Sequence, residues 1–289
     1  MAHEEITWSC DGRDLSIGLD RAGMGPSVLL LPALSSISTR REMHPLQQRL
    51  AQSFTAIAID WPGFGEQPKP YVDWRPEIYE AFLTHLLTHV VPNPFAIIAA
   101  GHAAGYALKH VAKSGPSAGR LVLLSPTWRG PLPTMVGRNH ALFSRMSRGF
   151  DPPLLGPMLY VLNVNRLVVG MMARGHVYAD SNWLRGNRME EKLVVTRAPG
   201  ARHSSARFVT GQLDPFSSRE EQTRAAQRIT VPILNLFSKN APSKSRAEME
   251  ELAMVPNVRT VRLPQGKLSF YEEFPEETAD VIRESLTVN

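Results

Sequence analysis

Few residues in this chain carry a spacing that could do chemistry. Gly101-His102-Ala103-Ala104-Gly105 follows the apolar run Phe95–Ala100 and precedes a helical pattern. A G-x-S-x-G turn between strand and helix projects its central serine from the top of a sheet, where the hydroxyl can attack. Here the central residue is Ala103, whose methyl group can attack nothing. His85 and His89 lie four apart, the spacing of zinc-binding helical pairs, but Leu86 stands where such helices carry glutamate and no third ligand is identifiable. They read as ordinary helix-face histidines, and no metal or other cofactor is expected. His203-Ser204-Ser205 sets hydroxyls beside a base, with no acid identifiable in the sequence to orient it.

The elements that must position these residues follow from hydrophobic periodicity. "ITWSC" and "DLSIGLD" alternate around a Cys-Asp-Gly turn and predict a β-hairpin. "SVLLLP", "FTAIAID", "FAIIAA" and "GRLVLLS" are apolar runs of buried-strand length, separated by helical patterns such as "TRREMHPLQQRLAQS", which Pro45 interrupts, and residues 74–90. Such alternation predicts an α/β fold, a mostly parallel sheet with helices on both faces. Between residues 129 and 210 the pattern changes to helical stretches rich in Pro, Gly, Arg and Met, then α/β alternation resumes with "VPILNLF", "NVRTVRL" and "PEETADVIRESL". The expected organisation is a core of residues 1–128 and 211–289 with a helical cap over 129–210.

In this order the segments resemble the α/β-hydrolase superfamily over nearly the whole chain. "DWPGFGEQPKP" is similar to its D-x-P-G-x-G-x-S segment, "TVPILNLFSKNAP" to the strand that delivers the catalytic acid, and "LPQGKLSFYEEFPEETADVI" to the segment that delivers the catalytic histidine. The resemblance implies a Ser, Asp or Cys nucleophile, a histidine base and an acid that orients it. It assigns these positions to Ala103, to Lys267, and to Ala241 or, with a slip of one, Asn240; the alternative acid position after "LVLLS" reads Ser125-Pro126-Thr127. The loop that supplies oxyanion amides starts at Pro32, which has no N–H, leaving Ala33 or Leu34 to donate. A degenerate triad is therefore expected. Ala33, Leu34, Ser35, His102, Ala104 and Thr127 are the expected pocket lining, with His102 also compatible with a purely packed role beneath the turn. Asp60 is expected to brace its own turn. Lys267 has two readings: a desolvated base or imine-forming amine, or a lysine reaching Glu272, Glu273 or solvent.

Of 289 residues, 43% are hydrophobic and 20% charged, the balance of a globular domain. The net charge of +5 with no dense basic run gives no indication of nucleic-acid binding. Cys10 is the sole cysteine, no basic-then-apolar signal opens the sequence, and no apolar stretch is long enough to span a bilayer, so a cytoplasmic location is expected. The positive excess is local: residues 129–205 hold eleven Lys/Arg against four Asp/Glu, a +7 that leaves the remainder at −2. Six of the eleven methionines also lie there. Such a cap suits a small apolar or amphipathic ligand with an anionic group, a protein partner, or a membrane surface met through "LLGPMLYVLNVNRLVVGMM". The methionines also suit a cap core.

Three functions fit: a non-hydrolytic pseudoenzyme that binds a ligand or partner; a lyase, decarboxylase, isomerase or cyclase using Lys267; and an esterase-type hydrolase with an unconventional nucleophile. A buried Lys267 facing Ala103 across a closed cavity would favour the second. A cleft filled by side chains beneath an apolar lid surface would favour partner binding.

Overall fold

A computed structural model describes residues 1–137 and 141–287. Its frame is an eight-stranded sheet ordered β1-β2-β4-β3-β5-β6-β7-β8. The predicted hairpin is β1 (Ala2–Cys10) and β2 (Arg13–Ala22), joined by Asp11 and Gly12 at φ 47° and 71°, the positive-φ pair a tight hairpin turn requires. β2 pairs antiparallel with β4 (Thr55–Ile59); β3 (Ser27–Leu31), β5 (Ala96–Ala100), β6 (Leu121–Leu124), β7 (Ile233–Ser238) and β8 (Val258–Leu263) continue the sheet in parallel. β5 and β6 are buried at every position, as strands covered on both faces must be.

One face of the sheet is covered by α2 (Pro76–His85), α3 (Ala103–Ser114) and α10 (Arg219–Arg228), packing Phe82, Leu83, Tyr106 and Ala226 on Leu29, Ile57 and Ile97. α1 (His44–Leu50) and α13 (Pro275–Thr287) cover the other, with Leu46, Leu50, Ile282 and Leu286 on Val28, Ala58 and Ile98. Pro45 does not interrupt its helix. It occupies the first turn of α1, where a missing N–H costs nothing. A single 3₁₀ turn, Arg40–Met43, leads into it.

Between β6 and β7 the described residues form helices and no strand: α4 (Pro131–Val136), α5 (Ala141–Arg148), α6 (Leu155–Asn163), α7 (Arg166–Met172), α8 (Asn187–Arg197) and α9 (Ala201–Val209). This segment has a small core of its own, in which Val169, Ala173, Tyr178, Leu184, Met189 and Leu193 meet. The methionines are mostly not cap core: Met189 is buried, whereas Met135, Met146, Met158, Met171 and Met172 are exposed. α11 (Ser243–Leu252), which the sequence pattern left unassigned, packs Met249 under β7; α12 (Phe270–Glu273) precedes the final helix.

Candidate functional site

The parallel strands end where the loops carrying the chemistry-bearing residues begin. β5 runs into Gly101 at φ 52°, and α3 starts at Ala103. A Cβ on Gly101 would stand 3.1 Å from the Cβ of Ala33, so the turn closes against the loop after β3. That loop is fixed by Trp61, whose indole N–H donates to the Pro32 carbonyl at 2.9 Å. Gly105 admits no side chain because Pro215 lies against it. Ala103, Ala104, Leu34 and His102 are all buried.

The Ala33 amide, one of the two expected to donate to an oxyanion, donates instead to Glu42 Oε1 at 2.8 Å. The Tyr271 hydroxyl donates to the same oxygen at 3.0 Å. The other carboxylate oxygen of Glu42 faces Lys192 Nζ at 3.4 Å, and Lys192 meets Glu272 at 3.4 Å as well. Tyr178 completes the cluster, its hydroxyl donating to Glu272 Oε1 at 2.8 Å. Glu42 comes from the 3₁₀ turn after β3, Lys192 and Tyr178 from the cap, and Tyr271 and Glu272 from α12. All five are buried. Burial pushes the Glu42 carboxyl above its usual range, and Lys192 draws it part of the way back. Burial opposes the charge on Lys192, yet Glu272 and Glu42 together hold its ammonium above the ordinary lysine value.

The cap is also stitched down beside this cluster. Lys267 Nζ donates to the carbonyls of Arg174 at 2.7 Å and Gly175 at 3.4 Å. Its amine thus caps the end of a cap helix. It does not reach Glu272 or Glu273, as one reading anticipated, nor does it form part of the buried cluster. Ser269 N–H donates to Val177 O at 3.0 Å, and Glu273 accepts from the amides of Ala179 and Asp180 at 2.9 Å each.

The remaining expected site residues are scattered among structural roles. Asn240 is exposed and donates through its side chain to Pro264 O at 2.9 Å, while Ala241 packs with Phe237 and Met249. Ser35 Oγ lies 2.9 Å from Ser38 Oγ inside its own loop, and the Thr127 amide donates to Gly101 O at 3.1 Å. Ser125, at φ 45°, carries a buried hydroxyl with no partner among the described residues. Asp60 is structural, but it ties its turn to the 3₁₀ turn, accepting from the Arg40 amide at 2.7 Å and its guanidinium at 2.5 Å. His203 does have an acid: Asp151 Oδ1 stands 2.8 Å from its Nδ1, and Arg207 bridges the same carboxylate at 3.0 Å. The neighbouring hydroxyls are committed elsewhere, Ser204 to Gly63 O and Ser205 to Tyr160 at 3.1 Å, so no nucleophile–base pair results. The His85 and His89 rings lie 5.1 Å apart on α2 and the turn after it, and no group of three ligating side chains occurs among the described residues.

His102 packs beneath the elbow with Nε2 2.8 Å from Leu213 O and 3.5 Å from Asp214 Oδ1. Burial lowers its pKa to about 4 and raises that of Asp214 to about 8. A folded-state pKa above the unfolded one means that the native form holds its proton more tightly, so stability falls as pH rises through that window. Asp214 is therefore expected to cost stability progressively from about pH 4 to pH 8. Asp214→Asn keeps a neutral isostere; the stability difference between the two proteins should grow across that range and then level off. Urea melts at several pH values measure it, and parallel curves would contradict the assignment.

The comparisons with known proteins agree with this architecture. A family model described as the alpha/beta hydrolase family matches residues 28–281. The chain belongs to that family. Among solved structures, the hydrolase frame superposes on a bromoperoxidase from Bacillus anthracis at 13% identity, with TM-score 0.72 and coverage of 99% of this chain and 100% of that one. A thermophilic esterase from Thermogutta terrifontis gives 17% identity, TM-score 0.69 and 99% and 98% coverage. An esterase from Exiguobacterium antarcticum gives 12%, 0.69, and 95% and 97%. At these identities the likeness is one of fold. No curated protein matches the chain.

The Glu42–Lys192–Glu272 cluster was not foreseen. A partial signal existed in "TRREMHPLQQRL" and "MEEKLVV", where a charged residue sits at a position the helical period turns inward. Periodicity alone does not distinguish such a residue from a solvated neighbour, because which face is buried depends on how cap and core pack.

Proposed function

We propose that this chain is a non-hydrolytic member of the alpha/beta hydrolase family, a pseudoenzyme that acts by binding, with its inherited catalytic cleft sealed. The observation that carries the reading is the Ala33 amide. Of the two loop amides left to stabilise a tetrahedral oxyanion, Ala33's is held by the Glu42 carboxylate, which cannot leave without stranding Lys192 and Tyr271. A negative charge at that point opposes an incoming oxyanion instead of stabilising it. Ala103 at the elbow, Asn240 and Ala241 after β7, and Lys267 bound to cap carbonyls supply no nucleophile, acid or base. A cleft of about 320 Å³ between Arg41 and Glu66 of the core and the cap, and one of about 360 Å³ within the cap, are lined by other residues than Ala33, His102 and Ala103.

A panel of p-nitrophenyl esters from short to long chain tests this. The expected result is a flat baseline for the wild type, for Lys267→Met and for Ala103→Ser, because a restored hydroxyl would still lack its base and its oxyanion donor. Turnover by the wild type that Lys267→Met abolishes would make Lys267 the catalytic group and sink the proposal.

A further inference from the structure

The cap turns its apolar residues outward. Leu154, Leu155, Met158, Val161 and Leu162, on and just before α6, are 56–87% exposed. Leu155, Met158 and Leu162 follow one another at intervals of three and four, a single stripe along the helix. On α7, Leu167 and Met171, four apart, and Met172 beside them are exposed as well. The segments Leu155–Asn163 and Arg166–Val177 meet at 45°; neither alone is long enough to cross a bilayer, and the pair, which together has the length and composition, is broken by that bend. Folded chains rarely leave so large an apolar surface in water without a use for it.

What lies beside the stripe selects its occupant. The cleft of about 360 Å³ is walled by Pro157, Tyr160 and Val161 of α6 and by Arg166, Arg197 and Arg202. Arg166 and Arg197 share a single carboxylate, Glu190, and Arg202 donates to the carbonyl of Phe150. The surrounding segment carries the +7 excess. A second copy would bring an equal charge against it and is disfavoured. The hot spots of protein partners centre on Trp, Tyr and Arg and make little use of leucine or valine, whereas this stripe is leucine, valine and methionine, with Tyr160 turned inward. Leucine and methionine flanked by arginine, on helices too short to span, is the pattern of a segment lying at the headgroup–acyl boundary.

We infer that the cap docks on an anionic bilayer leaflet, α6 and α7 lying in its plane with their stripe in the acyl boundary and the Arg166–Arg197–Arg202 cleft receiving a lipid phosphate. This deepens the binding role proposed above and rests on it. Glu190 yields part of its pairing to the phosphate, so the contact strengthens with the anionic fraction of the leaflet and weakens with salt.

Flotation of the full chain with vesicles tests it, comparing phosphatidylcholine alone with a mixture about one-third phosphatidylglycerol. Binding is expected to the mixture and to fall steeply in about 0.5 M salt. The double variant Leu155→Glu/Leu162→Glu should lower partitioning about 100-fold with an unchanged melting temperature, since both positions are exposed. Leu167→Glu/Met171→Glu repeats the test on α7. Vesicle binding indifferent to these substitutions or to lipid charge overturns the inference. So does a failure to bind, or a lipid-independent dimer that the same variants dissociate, which assigns the stripe to a second copy. The two proposals fail separately. Ester turnover by the wild type would refute the sealed cleft whatever the vesicles show, and absent flotation with a flat ester baseline removes only the lipid assignment.

Discussion

Lys192→Met should destabilise the protein by about 3–5 kcal/mol, because it leaves two carboxyls buried against one another with no cation between them. The side chains are close in length, so the loss reads charge and not volume. Equilibrium urea unfolding measures it as a lowered midpoint at an unchanged slope. Adding Glu42→Gln and Glu272→Gln to Lys192→Met should recover much of the loss, since breaking one partner of a buried ionic group costs more than neutralising the whole. A single Lys192→Met change within about 0.5 kcal/mol of wild type would mean that water reaches the cluster, and the sealed-cleft reading would go with it.

Arg40, two residues from Glu42 on the same 3₁₀ turn, is expected to produce a loss of the same size through a separate ionic group. Its guanidinium lies between two buried carboxylates, Nε 2.8 Å from Asp20 and Nη1 2.5 Å from Asp60. His44 meets the same Asp20 oxygen at 2.7 Å, and His3 lies 2.9 Å from the other oxygen and 3.2 Å from Arg40 Nη2. Burial opposes the charge on Arg40, but the two carboxylates hold its pKa above the ordinary arginine value. Arg40→Met strands Asp60 under the turn that Gly63 and Gly65 close, and should cost about 3–5 kcal/mol in urea unfolding. The guanidinium fits only because Gly18 has no side chain: a Cβ there would come within 2.5 Å of Nη1. Gly18→Ala should therefore cost about 1–3 kcal/mol although its backbone stays in an allowed region. An unchanged midpoint for Gly18→Ala would show that Arg40 has room to move aside.

The sheet was legible in the sequence because fully apolar runs such as Ala96–Ala100 and Leu121–Leu124 have no other stable environment, and the hairpin because Asp11-Gly12 favours one turn. Asp60's structural role was legible only through the resemblance, since its partner Arg40 lies twenty residues away. The placement of Lys267 was not. Its segment matched a catalytic one, but whether an amine points inward or onto a carbonyl is decided by the cap, whose helices contact the core from about ninety residues away. The acid that pairs with His203 was missed for the same reason: Asp151 is distant in sequence and near only once α9 packs against the preceding loop. The methionines misled in the opposite direction. Composition reports that a segment is apolar and says nothing of which way its side chains face; here five of the six turned outward.

The cluster around Glu42 also orders events in time. Tyr271, which shares the Glu42 carboxylate with the Ala33 amide, lies 229 residues further along the chain, on the short helix before the last. A chain emerging from the ribosome must release almost its whole length before that contact can close. Until then Glu42 lacks its tyrosine partner, and the cap is held to the core by earlier contacts such as Lys192 to Glu42 and Ser204 to Gly63. Completion of the cluster is thus a late step of biosynthesis, and a chain truncated before α12 would hold its lid by those earlier contacts alone.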